Sequence, residues 1–267
     1  MLFLHGIAAT CDSWSTVRAE LEHDHDTDAY DHRGHGASPH HGPADLTVTQ
    51  LAADLNATLD ALNSAEPVVL VGHSLGGMTI MAYAANHPEH FRSRVAAVVL
   101  VSTTAGNFDL GCGLPGPLGS LVARSFRTVA AVIAAPPSGP LGPIVSRTAK
   151  FVLRTLTTSR WPLYSWSTPA SIRRDCSAGI AATPPQSLHT LLPQLAAHRA
   201  RDLTPLHEVP VLILVGTEDR LSPPAHSRDL RKLLPQADLH LIPRAGHVLP
   251  LEQPHAVAAH IRRLLSA

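Results

Sequence analysis

The chain has 267 residues, 45% of them hydrophobic, which suffices for one large core and suits one α/β domain with an insertion better than two independent domains. Its 21 Lys and Arg balance 21 Asp and Glu, so no overall charge points to nucleic acid or a polyanionic partner. The three cysteines, Cys11, Cys112 and Cys176, are odd in number and widely spaced, which fits neither a disulfide framework nor a metal pattern and suggests a reducing compartment.

In chain order, short apolar runs alternate with longer helical patterns. Residues 2–4 form the first strand candidate, and the apolar run that opens the chain is too short, and lacks the basic flank, for a signal peptide. A helix is expected over 14–22 with Asp12 as its start signal, then a weaker and more polar strand over 27–31. Thr47 marks the start of a helix over 47–62. A β-rich, unalternating run at 68–71 leads to a helix over 75–86, and a second such run occupies 96–101. The final third repeats the alternation: strands at 211–215 and 239–242, helices at 225–234, with Pro223 as start signal, and at 254–265. This is the signature of βαβ units and a mostly parallel, doubly wound sheet.

The alternation breaks between 103 and 208, where four helical patterns are separated by Gly/Pro clusters at 111–119 and 136–143. The expected division is therefore a core of 1–102 and 209–267, with 103–208 as an inserted helical cap. The longest apolar stretch, 129–145, is broken by Pro136, Pro137, Pro140 and Pro143 and is unsuited to span a membrane. A cytoplasmic protein is expected.

The chemistry centres on Gly72-His73-Ser74-Leu75-Gly76, which follows a buried strand and opens a helix. A tight strand-to-helix turn forces its central residue into a strained backbone, and the flanking glycines remove side chains that would collide with their neighbours. Ser74 is thereby presented at the carboxyl edge of the sheet, and the Leu75 N–H at the helix start points where an oxyanion would develop. About a tenth of such a pentad is expected by chance in a chain of this composition, and the strand and helix around it lower that further.

A serine hydroxyl needs a base, and the base needs an orienting partner. Gly216-Thr217-Glu218-Asp219 follows one late strand and Gly246-His247 follows the last. Asp219 is preferred over its neighbour Glu218 for its place in the turn; its blander reading is a turn or helix cap ahead of Pro223. His247 is one of 18 histidines, singled out by its position behind a strand. At the other end, His5-Gly6-Ile7 follows the first strand, and the Ile7 N–H is the candidate second oxyanion donor.

With these motifs assembled, nearly the whole chain resembles the α/β-hydrolase superfamily, in particular its esterase, lipase and perhydrolase-like members with a cap between the sixth and seventh strands. His5-Gly6 is similar to the oxyanion loop, Gly72-His73-Ser74-Leu75-Gly76 to the nucleophile elbow, and the Asp219 and His247 loops to the acid and base loops. Asp31-His32-Arg33-Gly34-His35-Gly36-Ala37-Ser38 is similar to a structural turn after the family's fourth strand. The resemblance implies Ser74 as nucleophile, His247 as base, Asp219 as orienting acid, Ile7 and Leu75 as oxyanion donors, and His5, Gly6, Gly72, His73 and Gly76 as support. It implies no cofactor and no metal. Members usually carry an antiparallel strand pair before the His-Gly strand. This chain starts at that strand, so either the true start lies upstream or the first two strands are lacking and 27–31 becomes an edge.

Other features are weighed against blander readings. Residues 22–28, with His32, His35, His40 and His41 beyond, have the residue types of a divalent-metal site, but a solvated loop is the expectation. Cys11 is expected to be a small buried thiol. In the insertion, Phe126, Phe151, Trp161, Tyr164 and Trp166 are expected to pack its helices, with some lining a pocket. Residues 111–174 hold eight Lys/Arg and no acid, whereas residues 1–110 hold 13 Asp/Glu against four Arg. Solvated helix faces account for the basic run; its other reading is attraction of an acidic carrier protein or anionic surface.

The expected activity is hydrolysis of a carboxylic ester, medium or large and mostly apolar, through an acyl-enzyme. Alternatives are a thioesterase or acyltransferase working on a carrier-bound acyl group, a perhydrolase or carbon–carbon hydrolase, and a binding module that has lost turnover.

Overall fold

A computed structural model describes residues 1–39, 42, 45–62, 66–106, 116–117, 121 and 163–266. The first and last helical patterns of the insertion fall differently: those before 163 lie outside the described residues, as do His40, His41, Cys112, Phe126, Phe151, Trp161 and the basic residues from Arg124 to Arg160.

Six strands form one sheet: β1 (Leu2–Leu4), β2 (Asp28–Tyr30), β3 (Val68–His73), β4 (Val95–Val101), β5 (Val211–Gly216) and β6 (Asp238–Ile242). Their spatial order is β2-β1-β3-β4-β5-β6, and every pairing among them is parallel. Among the described residues β2 is an edge of the sheet, where its exposed Asp28 discourages pairing with another chain.

The helices α1 (Ser15–Leu21), α2 (Val48–Ala61), α3 (Leu75–Asn86) and α4 (Pro88–Arg94) fall between the first four strands. Two more, α5 (Ala170–Ala182) and α6 (Pro185–Ala197), precede β5. They are followed by α7 (Pro224–Leu233), α8 (Leu249–Glu252) and α9 (Pro254–Leu265). Burial on both faces of the sheet explains the unalternating strand sequences. Leu2, Leu4, Leu70, Val98, Leu100 and Ile213 point to one side, where they meet α2, α3 and Leu230 of α7. Phe3, Val69, Val71, Val99, Val101 and Leu214 point to the other, against Trp14, Val17, Leu21 and the Val257, Ala258 and Ile261 face of α9. Leu191 and Leu195 of α6 join the first of these cores, whereas α5 buries none of its residues.

Two start signals behave as expected: the Thr47 side chain accepts a hydrogen bond from the Gln50 N–H, and Pro223 precedes α7. Asp12 does not. It lies inside a 3-10 turn, Cys11–Trp14, and Trp14 is the residue that precedes α1. Among the described residues, no helix is long and apolar enough to cross a membrane.

Candidate active site

The strand β3 ends at His73, and Ser74 then takes φ 51° and ψ −110° before α3 begins. This left-handed backbone is costly for a side chain bearing a Cβ and persists because its surroundings fix it. The Ser74 N–H donates to the Val101 carbonyl at 2.9 Å, while the Ser74 carbonyl accepts from the Thr103 hydroxyl at 2.8 Å. The turn closes so tightly that a methyl group on Gly72 would sit 2.6 Å from the backbone of Gly76 and Gly77. Gly6 meets the same turn from β1: a methyl there would lie 2.7 Å from His73 Nδ1 and 3.3 Å from Ser74 Cβ. The backbone of the His5-Gly6-Ile7 loop is thus laid against the serine, beside the first turn of α3 that Leu75 opens.

His5 is buried and holds this loop. Its Nδ1–H donates to the Gly6 carbonyl at 2.7 Å, and its Nε2 accepts the His32 N–H at 2.9 Å. Burial, with a smaller contribution from the His35 charge, lowers its pKa to about 4, so the ring is neutral near pH 7. His73 is neutral for the same reason: burial first, then the His247 charge, lower its pKa to about 3, and its Nε2–H donates to the His247 carbonyl at 2.8 Å.

The loops after β5 and β6 are joined to each other, Thr217 N–H donating to the Ile242 carbonyl and Glu218 N–H to the Ala245 carbonyl. From them project Asp219 and His247, both buried. His247 Nε2 lies 3.1 Å from Ser74 Oγ, and His247 Nδ1 lies 3.0 Å from Asp219 Oδ2. The residues that the sequence singles out from three distant stretches therefore come within hydrogen-bond reach in series. Asp219 also accepts the Leu221 and Ser222 N–H groups on Oδ1 and the Ser222 hydroxyl on Oδ2 at 2.7 Å. Its turn-capping and imidazole-facing readings thus hold together. Burial pushes the Asp219 carboxyl up, but the His247 charge and the bonds from His247 and Ser222 outweigh it and hold the carboxyl below its ordinary value. An ionised carboxylate fixes Nδ1 as the protonated nitrogen and leaves Nε2 free to accept a proton from the serine.

Two side chains here, Ser222 and Glu252, escape sequence reasoning, and Glu218 takes a contact it did not anticipate. Ser222 completes the shell of Asp219 and also approaches His247 Nδ1 at 3.1 Å. Glu252 accepts from the Gly246 N–H and from Ser165 and Thr168. Glu218, set aside in favour of its neighbour, accepts the Trp166 N–H at 2.8 Å. Ser222 is the one with a signal, since a hydroxyl three residues past an aspartate is a common turn partner.

Several expectations fail. His32 and His35 are buried, not solvated, their rings 4.6 and 5.2 Å from that of His5. They are packed as edge-on aromatic neighbours, and no group of three or more His, Cys, Asp or Glu that could hold a metal ion occurs among the described residues. Cys11 is only half-buried, and its N–H donates to Asp31 Oδ1 at 2.8 Å. Trp166 is 63% exposed, stacked beneath the Arg220 guanidinium instead of filling a core, whereas Tyr164 is buried.

The sequence matches the family described as alpha/beta hydrolase fold over residues 1–254. The chain belongs to that family. It is 26% identical, over its full length and 81% of the other protein, to cis-3-alkyl-4-alkyloxetan-2-one decarboxylase of Shewanella oneidensis. It is 28% identical to the pimeloyl-[acyl-carrier protein] methyl ester esterase of Neisseria meningitidis, across 97% of this chain and 90% of that one. Among solved structures, a malate-bound thermophilic esterase from Thermogutta terrifontis superimposes with a TM-score of 0.76 at 25% identity, covering 99% of this chain and 88% of that one. As an α/β-hydrolase, the chain is an enzyme of the hydrolase class.

Proposed function

We propose that this α/β-hydrolase cleaves carboxylic esters through an acyl-enzyme. Ser74 attacks the carbonyl, His247 takes its proton and later returns it to the leaving alcohol, and Asp219 stabilises the imidazolium. The backbone N–H groups of Ile7 and Leu75 receive the negative charge that develops on the carbonyl oxygen. Water then releases the acyl group by the same proton relay. The observation that carries this reading is the series Ser74 Oγ, His247, Asp219, with separations of 3.1 and 3.0 Å and all three side chains buried.

In this reading residues 103–208 act as a cap over a medium or large, mostly apolar substrate. Its support is the path of α5, on which a methyl group at Gly179 would lie 3.6 Å from the Ala8 carbonyl, directly after the proposed oxyanion loop. Ser74→Ala is expected to abolish p-nitrophenyl ester turnover and fluorophosphonate labelling while the near-UV circular dichroism stays that of the parent. Equal turnover in both proteins would refute the assignment.

A carrier-bound acyl substrate is the second reading, favoured by the likeness to an esterase named for an acyl-carrier substrate and by the basic run at 111–174. Its mark would be activity on acyl-carrier esters that falls steeply with salt, while activity on small esters does not.

A further inference from the structure

The loop that carries His247 is not held by the sheet alone. Residues 163–168, which lead into α5, lie across it. The His247 N–H donates to the Leu163 carbonyl at 2.8 Å, the Trp166 N–H reaches Glu218 at 2.8 Å, and the Ser167 hydroxyl reaches the Arg244 carbonyl at 3.2 Å. At the centre stands Glu252. One carboxylate oxygen accepts the Ser165 N–H at 3.2 Å and the Thr168 hydroxyl at 3.0 Å, and the other accepts the Gly246 N–H. The contact leaves no room for adjustment, since a methyl group on Gly246 would come within 2.6 Å of the Ser165 nitrogen and 2.7 Å of the Tyr164 carbonyl carbon.

We propose that Glu252 is a positioning residue for His247: it clamps residues 163–168 to the Gly246 N–H, so that the Leu163 carbonyl holds the imidazole in line between Ser74 and Asp219. The proposal rests on the ester-hydrolase reading above. Burial pushes the Glu252 carboxyl up by more than the bonds from Gly246, Thr168 and Ser165 pull it down, and the nearby Asp219 charge adds to the rise.

Glu252→Gln tests this with almost no change in volume. An amide has one acceptor oxygen, so its NH2 must face the N–H of either Gly246 or Ser165, and one side of the clamp opens. Displacement of a reacting group by about 1 Å costs up to about a hundredfold, so kcat on p-nitrophenyl esters is expected to fall roughly tenfold or more while KM changes by less than about threefold. The low-field proton resonance of the His247–Asp219 hydrogen bond is expected to shift or broaden. Thr168→Val removes a donor only on the 163–168 side and is expected to change both readouts in the same direction, by less. It also carries the test if Glu252→Gln fails to fold. Ser74→Ala is run alongside. Parental kcat and resonance in Glu252→Gln, or in Thr168→Val if only that variant folds, with Ser74→Ala inactive, would overturn the positioning role and leave the hydrolase reading intact. Turnover by Ser74→Ala at the parental rate would overturn the hydrolase reading itself.

Discussion

Asp219 shows how much one side chain can be asked to do. It is buried, yet its carboxylate receives two backbone N–H groups, a serine hydroxyl and an imidazole. The Ser222 hydroxyl is the member of that set most easily removed. A hydrogen bond to a charged group contributes about 1.5–3 kcal/mol. If that is felt mainly when the imidazolium forms, Ser222→Ala lowers kcat/KM roughly tenfold or more. Ester kinetics on the purified variant decide it, and parental kcat/KM would show that the other three bonds suffice. The placement of Ser74, Asp219 and His247 was legible because each follows a strand, buried for Ser74 and Asp219 and a partly exposed edge strand for His247, and a parallel sheet delivers the ends of its strands to one edge. Glu252 was not, since nothing in its local sequence says which distant N–H groups it will meet, and Ser222 carried only the local signal of a hydroxyl three residues past an aspartate. His32 and His35 misled for the opposite reason: neighbours rich in His and Asp suggest a wet loop, whereas their rings are buried against His5.

Among the elements, the long periodic ones were read to within a residue or two, and α3 and α9 have the expected limits. The helix α4 was missed. It starts at Pro88, with only His87 between it and the end of α3, and its seven residues bury only Phe91, too little apolar signal to separate it from a turn. The helix α2 illustrates a local rule that needs no tertiary context. Thr47 has extended dihedrals and its hydroxyl accepts the Gln50 N–H at 2.9 Å, so one of the free N–H groups of the first turn is satisfied. Thr47→Ala is expected to lower the unfolding free energy by about 1 kcal/mol, read as a shift of the urea midpoint at constant slope. No shift would mean that the Gln194 side chain, which accepts the neighbouring Val48 N–H, already holds this end of the helix.

At the scale of the whole molecule, buried histidines set the response to acid. Burial, the largest cause in each case, lowers His5 and His198 to about 4, His73 to about 3, and His32 well below its ordinary value. The unfolded chain protonates these rings near pH 6.5 and the folded chain does not, so the unfolded state binds more protons below that pH. Stability is therefore complete above about pH 6.5 and declines as pH falls toward 4, each ring contributing a slope of about 1.4 kcal/mol per pH unit. Thermal melts at constant ionic strength are expected to show a lower Tm at pH 5 than at pH 7. A flat Tm over that interval would mean that the rings take up protons without unfolding.

The Leu163 carbonyl that receives the His247 N–H belongs to the long connection between β4 and β5, so the proposed cap and the loop that carries the proposed base are tied together through the backbone. A chimera that swaps this connection for that of a relative, to change which acyl groups are accepted, has its safe downstream junction before residue 163. A splice placed at the start of β5 would exchange residues 163–168, the proposed scaffold of the imidazole, together with the rest of the proposed cap, and the hybrid is expected to lose rate along with the old preference.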